Sequence, residues 1–150
     1  MPDLSVVKAE TQKEVADAFK VRREVFIEGQ RIPEEVELDG KDDEAEHIVA
    51  YIDNTPIGCA RIRHVNEGAK IERMAVLDDY KGRGFGKAIL NFTIVLIKER
   101  YPNERIYLHA QKDVQEFYKK AGFVTEGKIF HEAGIPHVKM ILEKKIIVNS

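Results

Sequence analysis

The chain is divided into short segments by polar turns that separate runs of alternating or continuous apolar residues. Such runs, when four to nine residues long and bounded by turn residues, are typical of β-strands. The pattern predicts strands at 5–10, 47–53, 57–65, 70–77, 105–111, 123–130 and 137–145. The connections 54–56 and 66–69 are short, so the second, third and fourth strands are predicted to form an antiparallel meander.

Three segments have apolar residues at helical spacing instead: 11–30, 84–101 and 113–122. In the first helix Thr11 and Glu14 have the spacing of a capping box, and Pro33 follows its end. The acidic stretch 34–46 then reads as a loop.

The second helix is apolar almost all round, which predicts that it is buried against the sheet. In the third, Asp113 and Glu116 offer another capping box, and Gly122 provides the stop. The order of elements predicts one α+β domain over residues 1–150, with a mixed, mostly antiparallel central sheet of about six to seven strands flanked by helices.

Composition narrows the class of protein. The 150 residues are 43% hydrophobic and 33% charged, with a net charge of −2. No broad basic field is present to attract nucleic acid or an anionic membrane, so neither is expected as a partner. The lone cysteine, Cys59, excludes an internal disulfide framework and is expected to be a small packing residue. The first ten residues contain no long apolar run, so no signal peptide is expected and a cytoplasmic location is predicted.

Candidate chemistry begins with the stretch MAVLDDYKGRGFGKAI, residues 74–89, where Gly82, Gly84 and Gly86 occupy every second position. A strand, a glycine turn and a helix bring unpaired amide groups together at the positive end of the helix dipole, which suits an anion. The Gly-Lys-Ser/Thr ending of a Walker loop is missing, and the preceding meander does not fit a dinucleotide-binding unit. A tight turn without a ligand remains the alternative.

Two motifs together resemble the GNAT N-acetyltransferase superfamily. Members have a Gln/Arg-x-x-Gly-x-Gly/Ala turn after a long strand, which here runs from Lys81 to Gly86 with Lys81 in the first position. They also have a strand, a short helix and an aromatic–glycine ending, here 107–123. The Gly-Ile-Pro-His sequence at 134–137 is similar to a small bacterial single-domain subgroup. The resemblance implies a GNAT fold, in which the two central strands splay apart.

The resemblance implies acetyl-CoA as co-substrate. In the family, the strand before the turn runs along the pantetheine arm, and the turn holds the pyrophosphate. Gln111 stands where many members have an asparagine that bonds the pantetheine. The positions that match the family's donor site are Met74, Ala75, Val76, Lys81, Gly82, Arg83, Gly84, Phe85, Gly86, Lys87, Gln111 and Phe117.

Tyr118 matches the family's common general acid, which supplies a proton to the departing thiolate. By spacing alone, it also fits the apolar stripe of its helix. Glu72 alternates with Met74 and Val76, so strand periodicity predicts that the three share a face and that Glu72 is a candidate base. An ion pair with a neighbouring arginine is the alternative for Glu72.

Two sets of residues predict acceptors of opposite charge. Members border the acceptor with the first helix and its loop, so four residues are candidates for holding a cationic amine: Glu28, Glu35, Asp39 and His47. A solvated acidic loop is the slightly favoured alternative. Three residues on central strands would instead suit an anionic acceptor: Arg61, Arg63 and His109.

The sequence therefore predicts an acetyl-CoA-dependent N-acetyltransferase that acts on a primary amine of a small molecule or peptide by direct attack. The alternatives are a non-catalytic acyl-CoA-binding module on the same fold and an NAD-type nucleotide binder. No metal site is expected, because the histidines lack ligand spacing and no cysteine cluster accompanies them. The apolar C-terminal segment 140–150 leaves a homodimer open.

Overall fold

The computed structural model describes residues 3–143 and contains seven strands, four α-helices and short π and 3₁₀ segments. The strands are β1 (Leu4–Lys8), β2 (Glu46–Ile52), β3 (Thr55–Val65), β4 (Gly68–Val76), β5 (Ile106–Gln111), β6 (Phe123–Glu132) and β7 (Ile135–Leu142). The helices are α1 (Gln12–Arg22), α2 (Glu34–Glu37), α3 (Phe85–Arg100) and α4 (Gln115–Lys120). No helix in residues 3–143 is long and apolar enough to cross a membrane.

All seven strands form one sheet in the order β1-β2-β3-β4-β5-β7-β6. Every neighbouring pair is antiparallel except β4 and β5, which are parallel. The predicted fold class, including the β2–β4 meander, is confirmed. Because β4 and β5 are parallel, their C-terminal ends lie at the same edge of the sheet, and the chain continues from there into α3 and α4.

The two faces of the sheet pack against different helices. The main core lies on the side of α3 and α4 and includes Ile48, Ile62, Ile71, Leu90 and Leu108. A smaller core on the opposite side packs α1 against the sheet, through a set of residues that includes Val21, Val49 and Cys59. These are called here the α3 face and the α1 face.

The element predictions need four corrections. The first helix changes at Arg23 from α-helical to π-helical hydrogen bonding, over Arg23–Gly29. The predicted acidic loop 34–46 begins with a short helix, α2. The second capping box is wrong, since Asp113 lies inside a 3₁₀ turn and no side chain caps α4. Helix α3 is buried on one side only, with Val95 51% exposed. By contrast, the Thr11–Glu14 capping box is confirmed. Residues 144–150, which hold most of the segment suggested for dimer contacts, lie outside the described residues.

Strand β4 contains a bulge at Arg73, whose φ is +52°. The pairing register with β3 shifts there, between the pairs Cys59–Ala75 and Arg61–Glu72. A bulge bends its strand and reverses the alternation of side chains beyond it. Met74 therefore packs on the α3 face like Ile71. The predicted shared face of Glu72 with Met74 and Val76 is wrong.

Glu72 lies instead on the α1 face, in a cluster of charges called here the arginine–carboxylate network. Its members are Arg22, Arg61, Arg63, Lys70, Arg73, Glu37, Asp39, Asp42 and Glu72. Glu72 lies 3.0 Å from Arg61, 2.5 Å from Arg63 and 3.2 Å from Lys70. The ion-pair alternative for Glu72 is the arrangement observed.

The same network orders the predicted acidic loop. Arg22 and Arg61 are buried, and both bind Asp42, at 2.7 and 3.0 Å respectively. Asp39 binds Arg61 at 2.8 Å. Glu37 lies on α2 and is 2% exposed. The favoured interpretation of a solvated acidic loop is wrong for these three carboxylates, because buried arginines need partners.

We expect this network to make stability depend on acid pH. Burial opposes the charged form of Glu72, but the hydrogen bond from Arg63 and the charges of Arg61 and Lys70 outweigh it and lower its pKa from 4.5 to about 2. A folded-state pKa below the ordinary value gives stability that is present above pH 4.5 and is lost as the pH falls towards 2. Urea unfolding of Glu72→Gln should show a loss of about 3 kcal/mol near neutral pH, and a shallower fall with acid than the wild type.

The matched control is Glu28→Gln, which removes an exposed carboxylate outside the network. Its free energy of unfolding should stay within about 0.5 kcal/mol of the wild type. Parallel pH curves for Glu72→Gln and wild type would show that Glu72 does not supply the acid-sensitive stability.

Candidate active site

A cleft opens in the sheet where β4 and β5 separate. The two strands pair at Ala69–Ile106, Lys70–Tyr107 and Ile71–Leu108, and nowhere beyond. Beyond Ile71 and Leu108 the strands diverge, and a cavity of about 560 Å³ lies between them. Residues of both faces of the sheet line it, so the cleft passes through the sheet.

The divergence leaves one edge of β4 available. Residues Glu72–Val76 pair with β3 on one side, while on the side of the cleft β5 no longer accepts their hydrogen bonds. Backbone donors and acceptors at such an edge can pair with an extended amide-containing chain. The cleft is thus shaped for a ligand that adds to β4 like a strand.

The glycine turn stands at the α3-face end of this cleft. Gly82 and Gly84 have φ of +78° and +83°, and Gly84 is the N-cap of α3. Both take a conformation that side chains disfavour. Gly86 serves packing instead, since an added Cβ would lie 3.4 Å from Phe117 Cζ. The first amides of α3 have no partner within the helix, so the turn presents them at the positive end of a 16-residue helix.

Tyr118 lies on α4 and lines the cleft from the α3 face. It is 7% exposed and packs against the rings of Phe117 and Phe123. Burial raises the pKa of its phenol above the ordinary value. The phenol is therefore protonated near neutral pH, and its burial also agrees with the packing role that spacing alone suggested.

Most of the predicted donor-site residues line the cleft. Those that line it are Met74, Ala75, Val76, Lys81, Gly82, Gly84, Gly86, Lys87, Gln111 and Phe117. Two do not: Arg83 is exposed and lies with its guanidinium 5.7 Å from the ring centre of Tyr80, and Phe85 packs against the main core.

A pair of amides bridges the cleft on the α1 face. The side chains of Gln111, at the end of β5, and Gln30, at the end of the π-helical segment, exchange hydrogen bonds of 3.0 and 3.2 Å. Sequence reasoning missed Gln30, which lies 81 positions away. The pair joins β5 to the end of the π-helical segment across this side of the cleft.

Of the residues predicted for the acceptor, His109 lines the cleft, whereas four others do not: Glu28, Asp39, His47 and Arg61. Glu28 is exposed, and Asp39 and Arg61 bind each other in the network. His47 donates from Nε2 to the Asp42 carbonyl at 3.0 Å and packs against Phe19.

The other two candidates are also away from the lining: Glu35 is exposed, and Arg63 binds Glu72. Of these candidates of opposite charge, Asp39 and Arg61 bind each other, and Arg63 is bound by Glu72. Neither set is a basis for choosing the charge of the acceptor.

Sequence reasoning also missed Glu132, which lines the cleft and binds His109. The two residues are 23 positions apart, and only the β5–β7–β6 order of the sheet brings them together. Within residues 3–143, no group of three or more histidine, cysteine or acidic side chains is placed to hold a metal ion.

Comparisons with known proteins agree with this geometry. The family model described as "Acetyltransferase (GNAT) domain" matches residues 6–144. The uncharacterized N-acetyltransferase YjcF of Bacillus subtilis (strain 168) is 37% identical over 139 residues, which covers 92% of this chain and 99% of that protein.

Two solved structures share the fold. An acyl-CoA N-acyltransferase from Pseudomonas aeruginosa superposes with a TM-score of 0.83 at 24% identity and covers 95% of this chain and 100% of that one. A GNAT family acetyltransferase from Elizabethkingia anophelis, solved with acetyl-CoA bound, gives a TM-score of 0.69 at 17% identity, with 92% of this chain and 94% of that chain covered.

The family model covers nearly the whole chain. The chain belongs to the GNAT acetyltransferase family and is an acetyl-CoA-dependent acetyltransferase.

Proposed function

We propose that this enzyme transfers the acetyl group of acetyl-CoA to a primary amine by direct attack within a ternary complex. The observation that carries the proposal is the cleft between β4 and β5, which is lined from both faces of the sheet and is narrowest where pairing ends. The donor enters from the α3 face and the amine from the α1 face, so the two reactants meet at the vertex. Holding both in one geometry supplies much of the rate.

The residues present fit the donor. Its diphosphate suits the free amides at the start of α3, where Gly82 and Gly84 leave the approach clear of side chains. Lys81 and Lys87 line the same end and add positive charge. Its two amide groups suit the open edge of Glu72–Val76. The Elizabethkingia protein of the same fold, with acetyl-CoA bound, supports this assignment.

Tyr118 is the proposed acid. The leaving group is a thiolate, and a phenol that stays protonated in the cleft can give it a proton as the carbon–sulfur bond breaks. Its side chain lines the cleft, and because burial raises the pKa of the phenol, the protonated form is the one present beside the departing sulfur. General acids of this kind contribute about 10²- to 10⁴-fold.

The proposal has no covalent enzyme intermediate. The only thiol of the chain, Cys59, is buried on the α1 face, and burial raises its pKa to about 12. It donates a hydrogen bond to the Arg73 carbonyl at 3.3 Å. A protonated, buried thiol is a poor nucleophile, which favours direct attack by the amine.

The function is tested by an acceptor screen with acetyl-CoA against alkylamines, polyamines, amino sugars and peptide N-termini, with release of the CoA thiol as the readout. Turnover that requires the amine and yields an equal amount of N-acetyl product is expected. Tight CoA binding without turnover of any amine would favour the acyl-CoA-binding module and contradict the proposal.

The donor site is tested by Gly84→Val. Valine disfavours the positive φ of this turn, so the first amides of α3 should lose their alignment. Calorimetric titration with CoA should show affinity weakened about tenfold or more, which corresponds to about 1.4 kcal/mol.

The matched control is Gly127→Val in the irregular part of β6. Gly127 has nearly the same φ, +81°, and at both glycines an added Cβ would meet no described atom within 4 Å. This control should share the cost in stability but keep the CoA affinity. Equal affinity in the two variants would remove the glycine turn from the donor site.

The acid is tested by Tyr118→Phe, which keeps the ring packing and deletes the hydroxyl. Turnover should fall by about 10²-fold or more, while the Michaelis constant for acetyl-CoA changes little. Tyr101→Phe, which alters a partly exposed tyrosine outside the cleft, is the control. A wild-type rate in Tyr118→Phe would leave this residue with packing alone.

A further inference from the structure

We propose that His109 is the base that removes a proton from the acceptor ammonium, and that Glu132 positions its ring. The proposal deepens the proposed function and rests on it. Three observations support it: the position of the imidazole, the ring nitrogen that carries its hydrogen, and the ion pairs of the other carboxylates in the cleft.

The position of His109 is set by the strand it belongs to. Leu108 is the last residue of β5 that pairs with β4, so His109 is the first residue past the vertex of the cleft. Leu108 and Ala110 pack in the main core on the α3 face. Strand alternation therefore places His109 on the α1 face, together with Gln111, whose amide meets Gln30 there. The imidazole lies at the point where an amine from the α1 face would reach the thioester.

The hydrogen bond to Glu132 fixes the tautomer of His109. The distance from His109 Nδ1 to Glu132 Oε1 is 2.7 Å. A carboxylate oxygen accepts, so Nδ1 carries the hydrogen and Nε2 keeps a lone pair in the neutral ring. Among residues 3–143 no group forms a hydrogen bond with Nε2. The ring of Phe130 packs edge-on at 4.9 Å and restrains the imidazole.

Glu132 is well placed to hold this tautomer because its two oxygens face two histidines. Oε2 lies 3.9 Å from His137 Nε2, while His137 Nδ1 donates to the Ile135 carbonyl at 2.7 Å. The hydrogen bond from His109 lowers the pKa of Glu132 below its ordinary value. The carboxylate therefore stays charged near neutral pH and stabilises the imidazolium that forms when His109 takes a proton.

The other carboxylates that line the cleft are engaged. Glu72 is bound by Arg61, Arg63 and Lys70, and Glu37 by Arg22 and Arg73. A carboxylate held by several cations has little tendency to accept a proton. Among the cleft's acid–base groups on the α1 face, His109 combines an available lone pair with a position at the vertex.

The step conserves atoms and charge. His109 Nε2 takes one proton from the ammonium, and the freed lone pair of the amine forms a bond to the thioester carbon. As the carbon–sulfur bond breaks, its electron pair leaves with sulfur, which receives a proton from Tyr118. The new amide nitrogen loses its second proton, which restores Tyr118 through the cleft, and His109 releases its proton to solvent. The net products are the N-acetyl amine, the CoA thiol and one proton.

The experiment compares two acceptors that differ in basicity. One is the best alkylamine of the acceptor screen, which is an ammonium ion at pH 7. The other is an alkylamine of similar size with a trifluoromethyl group next to the aminomethyl carbon, which withdraws enough electron density to keep the amine mostly neutral at that pH. His109→Asn can keep a donor towards Glu132 but loses the Nε2 lone pair. It should lower kcat for the alkylamine about 100-fold or more and leave kcat for the fluorinated amine within about threefold of the wild type.

An unchanged kcat for the fluorinated amine and an unchanged affinity for CoA would show that His109→Asn is folded. His131→Asn, which alters an exposed histidine two residues before Ala133, is the control and should behave as wild type with both amines. Equal losses with the two acceptors, or no loss with the alkylamine, would overturn the role of His109. If the wild-type enzyme acetylates no amine, the proposed function fails first.

Glu132 is tested as a positioning residue with the same pair of acceptors. Glu132→Ala should reduce kcat for the alkylamine and spare the fluorinated amine, with little change in either Michaelis constant. Glu132→Gln should recover part of that rate, because its amide oxygen still accepts from Nδ1. Glu126→Gln, on the same strand, is the control, since Glu126 binds Arg105 and Lys139 rather than His109. Equal losses with both acceptors in Glu132→Ala would reduce Glu132 to a structural role.

Discussion

The early end of pairing between β4 and β5 is the constraint on which the active site depends. Three residue pairs join the strands, and the next residue of each strand, Glu72 on β4 and His109 on β5, already lines the cleft. Unpaired backbone groups inside a protein are costly, so this edge of β4 would be unfavourable unless water or a ligand satisfied it. An extended, amide-containing donor that adds to this open edge as a strand would supply the missing hydrogen bonds.

The arginine–carboxylate network holds the strand on one side of this opening in place. Arg73 occupies the bulge of β4 and binds Glu37 and Asp39, so the irregular strand is tied to α2 and its loop. Arg61 and Glu72 continue the network on the neighbouring positions of β3 and β4. Because buried charges are strongly destabilising without partners, the bulge, the loop and the α1 face form one unit. Asp39, which the sequence suggested for the acceptor, is therefore part of the framework beside the cleft.

Local patterns sufficed for much of this molecule. Apolar alternation predicted the strands and their mostly antiparallel order, and the glycine spacing located the turn before α3. They failed where the structure departs from a regular period or depends on distant pairing. Alternation placed Glu72 on the wrong face because a bulge at Arg73 is invisible to a period of two. The contact between His109 and Glu132 depends on the strand order, which no local pattern encodes.

The account is tested most directly by a crystal structure of the enzyme with CoA. We predict that the pantetheine lies along the open edge of β4, with hydrogen bonds to the backbone between Glu72 and Val76. The diphosphate should meet the amides that follow Gly84, and the sulfur should lie between Tyr118 on one face and His109 on the other. CoA bound elsewhere, or a β5 paired with β4 along its whole length, would contradict the central claim.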